Sequence, residues 1–119
     1  MIRIYGIRNC DTMKKAFNWL DQHAIDYAFH DYKKSAIDAA TLTDWLARAE
    51  RSALVNTRGT TWRKLPAEAQ RIDTDAEAIA LMIAHPSLIK RPVLDTGDGA
   101  LLVGFKPDTY AAAFGKGAR

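Results

Sequence analysis

The sequence predicts an α/β domain in which a β-α-β unit and a β-β-α unit flank a helical insertion. Three patterns support this prediction: alternating apolar residues near the N-terminus, a helical apolar stripe directly after them, and two short apolar runs joined by a glycine-rich turn near the C-terminus. The chain has 119 residues, of which 48% are hydrophobic and 26% charged. That composition is typical of a globular protein, and the length predicts one domain over residues 1–119.

The first unit begins with a strand over residues 2–6, where apolar and polar side chains alternate. A helix from Thr12 to about His23 follows, because its apolar residues have the spacing of one helix face: Met13, Ala16, Phe17 and Leu20. Residues 25–32 are rich in aromatic side chains and predict a second strand. A strand, a helix and a strand in this order favour a parallel pair.

The helical insertion is predicted over roughly residues 36–86. Asp38 is a suitable N-cap for a helix whose apolar stripe is formed by Leu42, Trp45, Leu46 and Ala49. Residues 56–66 have no clear period and predict a loop or a broken helix. Thr74 and Glu77 have the spacing of a capping box, which predicts a second helix ending near His85.

The last unit is predicted as a hairpin and a helix. Residues 92–96 and 100–105 are short apolar runs separated by Gly-Asp-Gly, a typical hairpin turn. Pro107 opens a helix that continues to about Phe114, where Gly115 ends it. Apart from the insertion, the predicted order of elements is that of a thioredoxin fold.

Charge and cysteine content restrict the classes of function. Seventeen Lys and Arg against fourteen Asp and Glu give a net charge of +3, spread along the chain. This distribution suits small anionic substrates better than direct nucleic-acid binding. One cysteine excludes an intramolecular disulfide and a multi-cysteine zinc site, and the histidines lack metal-ligand spacing. The free thiol, with no predicted signal peptide or membrane span, leads us to expect a cytoplasmic protein.

The cysteine, Cys10, lies between the first strand and the first helix. The free N–H groups and the dipole at a helix N-terminus stabilise a thiolate, which is the nucleophilic form of a cysteine. Lys14 and Lys15 add positive charge, and we expect Asp11 to cap the helix and point its carboxylate at backbone amides. Residue 13 is methionine, so this is not a dithiol redox motif. The alternative interpretation of Cys10 is a small buried hydrophobic residue.

Two polar residues, Asn9 and Thr12, flank the cysteine. Either can donate a hydrogen bond to a thiolate, and either can instead serve as the N-cap. Because the chain has no second cysteine, a disulfide formed during turnover requires a thiol from outside. Glutathione is the abundant candidate.

Five stretches together resemble the family of glutaredoxin-linked arsenate reductases and Spx-type regulators (the ArsC/Spx-like family), most closely its YffB branch. They occur in matching order over nearly the whole chain: YGIRNCDTMKKAFNWL (5–20), HDY (30–32), LVNTRGTTWRKL (54–65), HPSLIKRPVL (85–94) and LLVGF (101–105). The resemblance implies a thioredoxin-like fold with a helical insertion, Cys10 as nucleophile, and glutathione-dependent thiol reduction.

The resemblance also implies roles for three further residues. Arg58 matches an arginine near the family's nucleophile, and Arg91 matches an arginine that binds the anionic substrate. Guanidinium groups hold oxyanions or glutathione carboxylates bidentately and stabilise a nearby thiolate. Pro92 matches a cis proline that faces the catalytic cysteine. The alternative for each arginine is a solvated surface residue.

Two departures from the family pattern weaken the other activities that the resemblance implies. Arsenate reductases of the family have a further arginine where this chain has Gly104, Phe105 and Lys106. Spx-type regulators often have a second cysteine at the position of Met13, where it forms a redox switch. We therefore rank true arsenate reduction and regulation of RNA polymerase below thiol reduction.

The leading hypothesis is a thiol-dependent oxidoreductase in which Cys10 attacks a small oxidised substrate or a mixed disulfide. Arg58, Arg91, Asn9 and Thr12 are the predicted substrate- or glutathione-binding residues, and Pro92 is structural. No bound cofactor is expected, and glutathione is the expected reductant or co-substrate. Glutaredoxin is a further candidate partner, RNA polymerase is a partner only under the regulatory alternative, and we expect a monomer.

Overall fold

A computed structural model describes residues 1–115. Its strands and helices follow the predicted order: β1 (Arg3–Gly6), α1 (Asp11–Gln22), β2 (Ala28–Asp31), α2 (Ala39–Leu46), α3 (Arg51–Leu54), α4 (Thr60–Lys64), α5 (Asp75–Ala84), β3 (Val93–Asp95), β4 (Leu101–Val103) and α6 (Pro107–Ala113). Short 3₁₀ turns lie at Ala67–Ala69 and Pro86–Leu88. The α/β class and the thioredoxin-like order of elements are confirmed.

The chain divides into two compact units. Of the described residues, the first unit contains 1–34 and 91–115, and the second contains Ser35–Lys90. All four strands belong to the first unit. The predicted helical insertion lies within the second.

The first unit is built on a four-stranded sheet with strand order β2-β1-β3-β4. β1 is parallel to β2, as predicted, and antiparallel to β3, which is in turn antiparallel to β4. Three strands therefore end, and β3 begins, at the same edge of the sheet, next to Gly6, Asp31, Val93 and Val103. We call this edge the Cys10 end of the sheet, because the loop to Cys10 leaves β1 there.

Residues of the sheet, α1 and α6 together form the core of the first unit. The buried cluster contains Ile4, Met13, Ala16, Trp19, Leu20, Leu94 and Tyr110. Full burial of a side chain such as Leu20 contributes about 1.5–3 kcal/mol. Gly6 allows α1 to approach β1 closely, because a Cβ at this position would clash with the Met13 sulfur.

The second unit confirms both predicted helix caps. The Asp38 side chain accepts a hydrogen bond from the Thr41 backbone N–H at 2.8 Å at the start of α2. At the start of α5, Thr74 and Glu77 form the reciprocal capping box. These side chains satisfy N–H groups that the first helical turn cannot, so the local pattern was sufficient to locate both helices.

Two boundaries differ from the prediction by three residues, each for a local reason. The second strand begins at Ala28 rather than residue 25, because α1 ends in a Schellman-type closure in which the Ile25 N–H donates to the Leu20 carbonyl at 3.0 Å. Ala24 occupies the left-handed position of this closure, with φ +54°. The predicted stripe of α2 was one turn too long, since α2 ends at Leu46 and leaves Ala49 outside.

Two tyrosine hydroxyls, those of Tyr32 and Tyr110, are buried without a hydrogen-bond partner among the described residues. Burial raises the pKa of both phenols well above the ordinary value of 10. Each phenol is therefore harder to ionise in the folded protein than in the unfolded chain.

We expect the free energy of unfolding to fall as the pH rises above about 10, where the unfolded tyrosines ionise and the folded ones do not. The loss is about 1.4 kcal/mol per pH unit for each tyrosine. Denaturant titrations at a series of alkaline pH values measure this slope. Tyr110→Phe should lower the slope by the contribution of one tyrosine, about 1.4 kcal/mol per pH unit, and an unchanged slope in that variant would contradict the assignment.

Candidate active site around Cys10

Cys10 is the N-cap residue of α1, with extended backbone angles (φ −146°, ψ 129°). Its carbonyl accepts the Lys14 N–H at 3.0 Å, and its own N–H donates to the Arg8 carbonyl at 3.1 Å. The side chain is half-buried, packs against the core cluster and forms no capping hydrogen bond. The thiol therefore occupies the position from which an N-cap side chain accepts backbone N–H groups of the first turn.

The expectation that Asp11 caps α1 is wrong. Asp11 is the first residue within the helix, and its carboxylate is exposed in the first turn. The boundary lies one residue earlier because Cys10 has the extended backbone of an N-cap and its carbonyl accepts the first helical bond. Neither Asn9, which is exposed, nor Thr12, which is half-buried, is the N-cap. Their predicted role as donors to a thiolate stays a prediction.

Arg91 and Pro92 lie at the Cys10 end of the sheet. The peptide bond between them is cis, as the resemblance implies. The Pro92 carbonyl accepts the Gly104 N–H at 2.8 Å, and the next residue, Val93, pairs with Tyr5 of β1. The start of β3 is thus held between β1 and the end of β4.

Tyr32, the last residue of the HDY stretch, also lies at the Cys10 end. Its backbone N–H donates to the Gly6 carbonyl at 2.9 Å, and its side chain is buried. Burial is the largest cause of its raised pKa, the neighbouring Tyr5 adds to it, and the positive charge of Arg91 acts in the opposite direction.

Arg58 lies in the second unit, in a loop that is stabilised by hydrogen bonds between residues close together in sequence. The Asn56 side-chain oxygen accepts the Arg58 N–H at 3.1 Å, as in an Asx turn. A Cβ at Gly59 would lie 2.8 Å from the Asn56 amide nitrogen, so this position favours glycine. The Arg63 guanidinium donates to the Arg58 carbonyl at 2.9 Å. The conformation of this loop therefore explains why asparagine and glycine occur in the NTRG stretch.

Arg58 lines a cleft of about 480 Å³ in the second unit, together with Ser52, Asn56, Thr57 and Lys90. The lining contains two cations and no carboxylate, which suits an anionic group. Sequence reasoning missed Lys90, because an exposed lysine carries no signal until the fold brings it beside Arg58.

Residues 104–106, where the resemblance implies a further arginine in the arsenate reductases, have other structural roles in this chain. Gly104 follows β4 with φ +80°, and the Phe105 ring packs edge-on against Tyr110 with 4.7 Å between centroids. Lys106 is exposed at the N-cap of α6. Phe105 therefore belongs to the aromatic packing around the core.

Within residues 1–115, three or more His, Cys, Asp or Glu side chains are nowhere grouped to hold a metal ion. In the same part of the chain, every helix is too short or too polar to span a bilayer.

Comparisons with known proteins agree with this architecture. A family model described as the ArsC family matches residues 5–113. A solved structure named YffB protein is 51% identical, covers 95% of this chain and 98% of its own, and superposes with a TM-score of 0.90. The solution structure of an arsenate reductase (ArsC) related protein from Brucella melitensis is 54% identical, with 95% and 93% of the two chains covered and a TM-score of 0.72.

A more distant similarity connects the chain to regulators. The global transcriptional regulator Spx 2 of Bacillus cereus is 26% identical over 110 residues, which are 91% of this chain and 82% of that protein. The resemblance inferred from the five sequence stretches is thereby confirmed.

Proposed function

The chain belongs to the ArsC family, and on that premise we propose that it is a thiol-dependent oxidoreductase that reduces mixed disulfides with glutathione. The observation that supports this most directly is the position of Cys10. It is the N-cap of a 12-residue helix, where N–H groups of the first turn and the helix dipole favour an anion. A half-buried thiol at this position is within reach of a substrate.

The reaction needs one protein thiol and proceeds by two exchanges. The Cys10 thiolate attacks the glutathione sulfur of a mixed disulfide, so a Cys10–glutathione disulfide forms and the substrate leaves as a thiolate. The thiolate of a second glutathione then attacks the glutathione sulfur of that adduct, releasing glutathione disulfide and restoring the Cys10 thiolate. Overall, the mixed disulfide and one glutathione thiol become the free substrate thiol and glutathione disulfide, and the glutathione that arrives with the substrate stays at the disulfide oxidation level throughout.

The arginines have a binding role in this proposal. Glutathione carries carboxylates that guanidinium groups bind through paired N–H donors. Arg91 lies at the same sheet end as Cys10, and Arg58 lines a cationic cleft with Lys90. Asn9 and Thr12, on either side of Cys10, are proposed donors to its sulfur.

Arsenate reduction is a weaker candidate for this chain. At the position of the family's further arginine, Phe105 packs against Tyr110 and Gly104 has no side chain. The oxyanion would therefore lose one charged hydrogen-bond donor.

Mass spectrometry tests the proposal. After incubation with glutathione disulfide, the protein should gain one glutathione, and peptide mapping should place it on Cys10. Reduced glutathione should then remove it. A protein that stays unmodified under conditions where a small free thiol reacts would contradict the proposal.

A second candidate function is transcriptional regulation through RNA polymerase, which the similarity to Spx 2 supports. Binding of the purified protein to purified RNA polymerase would favour it, particularly if Cys10→Ser binds equally well. Catalysed disulfide reduction without polymerase binding would exclude it.

A further inference from the structure

Arg8 lies in the short loop between β1 and α1 and is joined to Cys10 through the backbone. Its carbonyl accepts the Cys10 N–H at 3.1 Å, and the residue is exposed. Two residues along a chain span at most about 7 Å, a distance that an arginine side chain can also cover. The loop that carries the thiol therefore also carries a cation that solvent and ligands can reach.

An aromatic ring determines where the Arg8 guanidinium lies. The central guanidinium carbon lies 5.1 Å from the centroid of the Phe29 ring, which is the distance of a cation–π contact. Phe29 pairs with Ile4 of β1, and its ring packs edge-on against Phe17 of α1 with 5.1 Å between centroids. Phe29 and Cys10 both pack against the core cluster of the first unit. The guanidinium and the thiol are therefore held on the side of the sheet that α1 covers.

The contact with Phe29 leaves the hydrogen-bond donors of Arg8 unused. A guanidinium has five N–H donors and no acceptor, and a phenyl ring has no lone pair for these donors. Within residues 1–115, no carboxylate forms an ion pair with Arg8 and no acceptor is bonded to its side chain. Arg8 is therefore a positioned cation that can bind an anion from outside. A carboxylate suits it well, because two carboxylate oxygens match two N–H groups of a guanidinium.

Other exposed charges near Cys10 differ from Arg8 in sign or in rigidity. Lys14 and Lys15 are exposed near the start of α1, and each presents a point charge on a flexible stem. Asp11 is an exposed carboxylate in the first turn and repels anions. Arg8 is held by its ring contact, so it is the cation best placed to offset Asp11 when an anionic reactant approaches the thiol.

We propose that Arg8 selects carboxylate-bearing reactants at Cys10, and that Phe29 is the positioning residue that holds the Arg8 guanidinium for this role. The reactant's carboxylate accepts hydrogen bonds from the guanidinium while its reacting atom meets the Cys10 thiolate. The inference rests on the proposed function only in taking the natural reactant to be a glutathione disulfide. It adds to Arg58 and Arg91 a binding residue on the cysteine's own loop.

Alkylation of Cys10 by iodoacetate and by iodoacetamide, followed by mass spectrometry, tests the inference without disulfide exchange. With either reagent a sulfur–carbon bond forms as iodide leaves, but only iodoacetate has a carboxylate. Both reagents consume the same thiolate, so the ratio of the two rates does not depend on how much of the thiol is ionised. Arg8→Gln should lower the iodoacetate-to-iodoacetamide ratio about two- to fivefold at low salt, the range for an ion pair between exposed groups. Arg8→Lys should retain part of the ratio, because it keeps the charge without the paired donors.

Arg3→Gln is the matched control. It removes the same charge from an exposed arginine of the first unit, at the end of β1 opposite the Cys10 loop, and should leave the ratio unchanged. Phe29→Leu keeps an apolar side chain but removes the ring, and should lower the ratio because the Arg8 guanidinium loses its fixed position. In the double variant of Arg8→Gln and Phe29→Leu, the ratio should be no lower than in Arg8→Gln, since Phe29 acts through Arg8. Circular dichroism establishes that each variant is folded under the conditions of the assay.

The outcomes separate this inference from the proposed function. A ratio in Arg8→Gln equal to that of the wild type, or an equal fall in Arg3→Gln, would overturn the role of Arg8. A wild-type ratio in Phe29→Leu, or a further fall in the double variant, would overturn the positioning role of Phe29. A ratio that depends on Arg8 in a protein whose Cys10 takes up no glutathione from glutathione disulfide would overturn the proposed function and leave the inference standing. Normal glutathione uptake with a ratio insensitive to Arg8 would do the reverse.

Discussion

Cys10→Ser is expected to lower the rate of glutathione-dependent reduction of a mixed disulfide by about 10³-fold or more, to the uncatalysed rate. The chain has one cysteine, so the sulfur that forms the intermediate is lost and no other thiol replaces it. A serine hydroxyl cannot undergo thiol–disulfide exchange. The assay follows formation of glutathione disulfide from a small glutathione mixed disulfide.

Unfolding does not explain such a loss, because serine is among the preferred residues at an N-cap. The Cys10 side chain forms no capping hydrogen bond, whereas a serine oxygen there can accept an N–H of the first turn. We therefore expect the free energy of unfolding of Cys10→Ser to be equal to or higher than that of the wild type. Catalysis that survives in a folded Cys10→Ser protein would show that the reaction does not use Cys10.

Arg91→Ala is expected to slow glutathione uptake by Cys10 about tenfold to a hundredfold with little effect on folding. A hydrogen bond to a charged partner contributes about 1.5–3 kcal/mol, which corresponds to that range in affinity. Arg91→Lys should recover part of the loss, since an ammonium supplies charge but not the paired donors of a guanidinium. The rate of adduct formation with glutathione disulfide, measured by mass spectrometry, gives the comparison.

Arg58→Ala should act in the same direction as Arg91→Ala. Arg71→Ala is the control, because Arg71 is exposed and lies outside every stretch that resembles the family. Equal rates in all of these variants and in the wild type would mean that Arg58 and Arg91 are surface residues without a role in binding.

Local patterns were sufficient for most of the elements. Helix α1 follows from its apolar spacing, and the capping box of Thr74 and Glu77 gives the start of α5 without any tertiary information. Helix α3 was missed because it has four residues, which are too few to show an apolar repeat. The late start of the second strand also has a local cause, but Ala24 replaces the glycine that usually signals such a helix end.

The site was less predictable than the fold, because burial and clustering depend on residues far apart in sequence. The position of Cys10 between β1 and α1 was evident from the sequence. Its role as N-cap in place of Asp11 depends on the backbone angles of Cys10, which the sequence does not specify. Tyr32 and Lys90 were not identified, since nothing local distinguishes a tyrosine with an unpaired hydroxyl or a lysine that shares a cleft with Arg58.

The pairing of β1 with β3 has a consequence for how the protein is made. Arg3 pairs with Asp95, so this contact closes a loop that spans most of the chain, and such closures are entropically costly and slow. During synthesis on the ribosome, β1 and Cys10 emerge early, but β3 and Arg91 emerge only after the whole second unit. Until then β1 has an unpaired edge, and the thiol is present without the arginine proposed to bind its substrate. Assembly of the proposed active site is therefore among the last steps of folding on the ribosome.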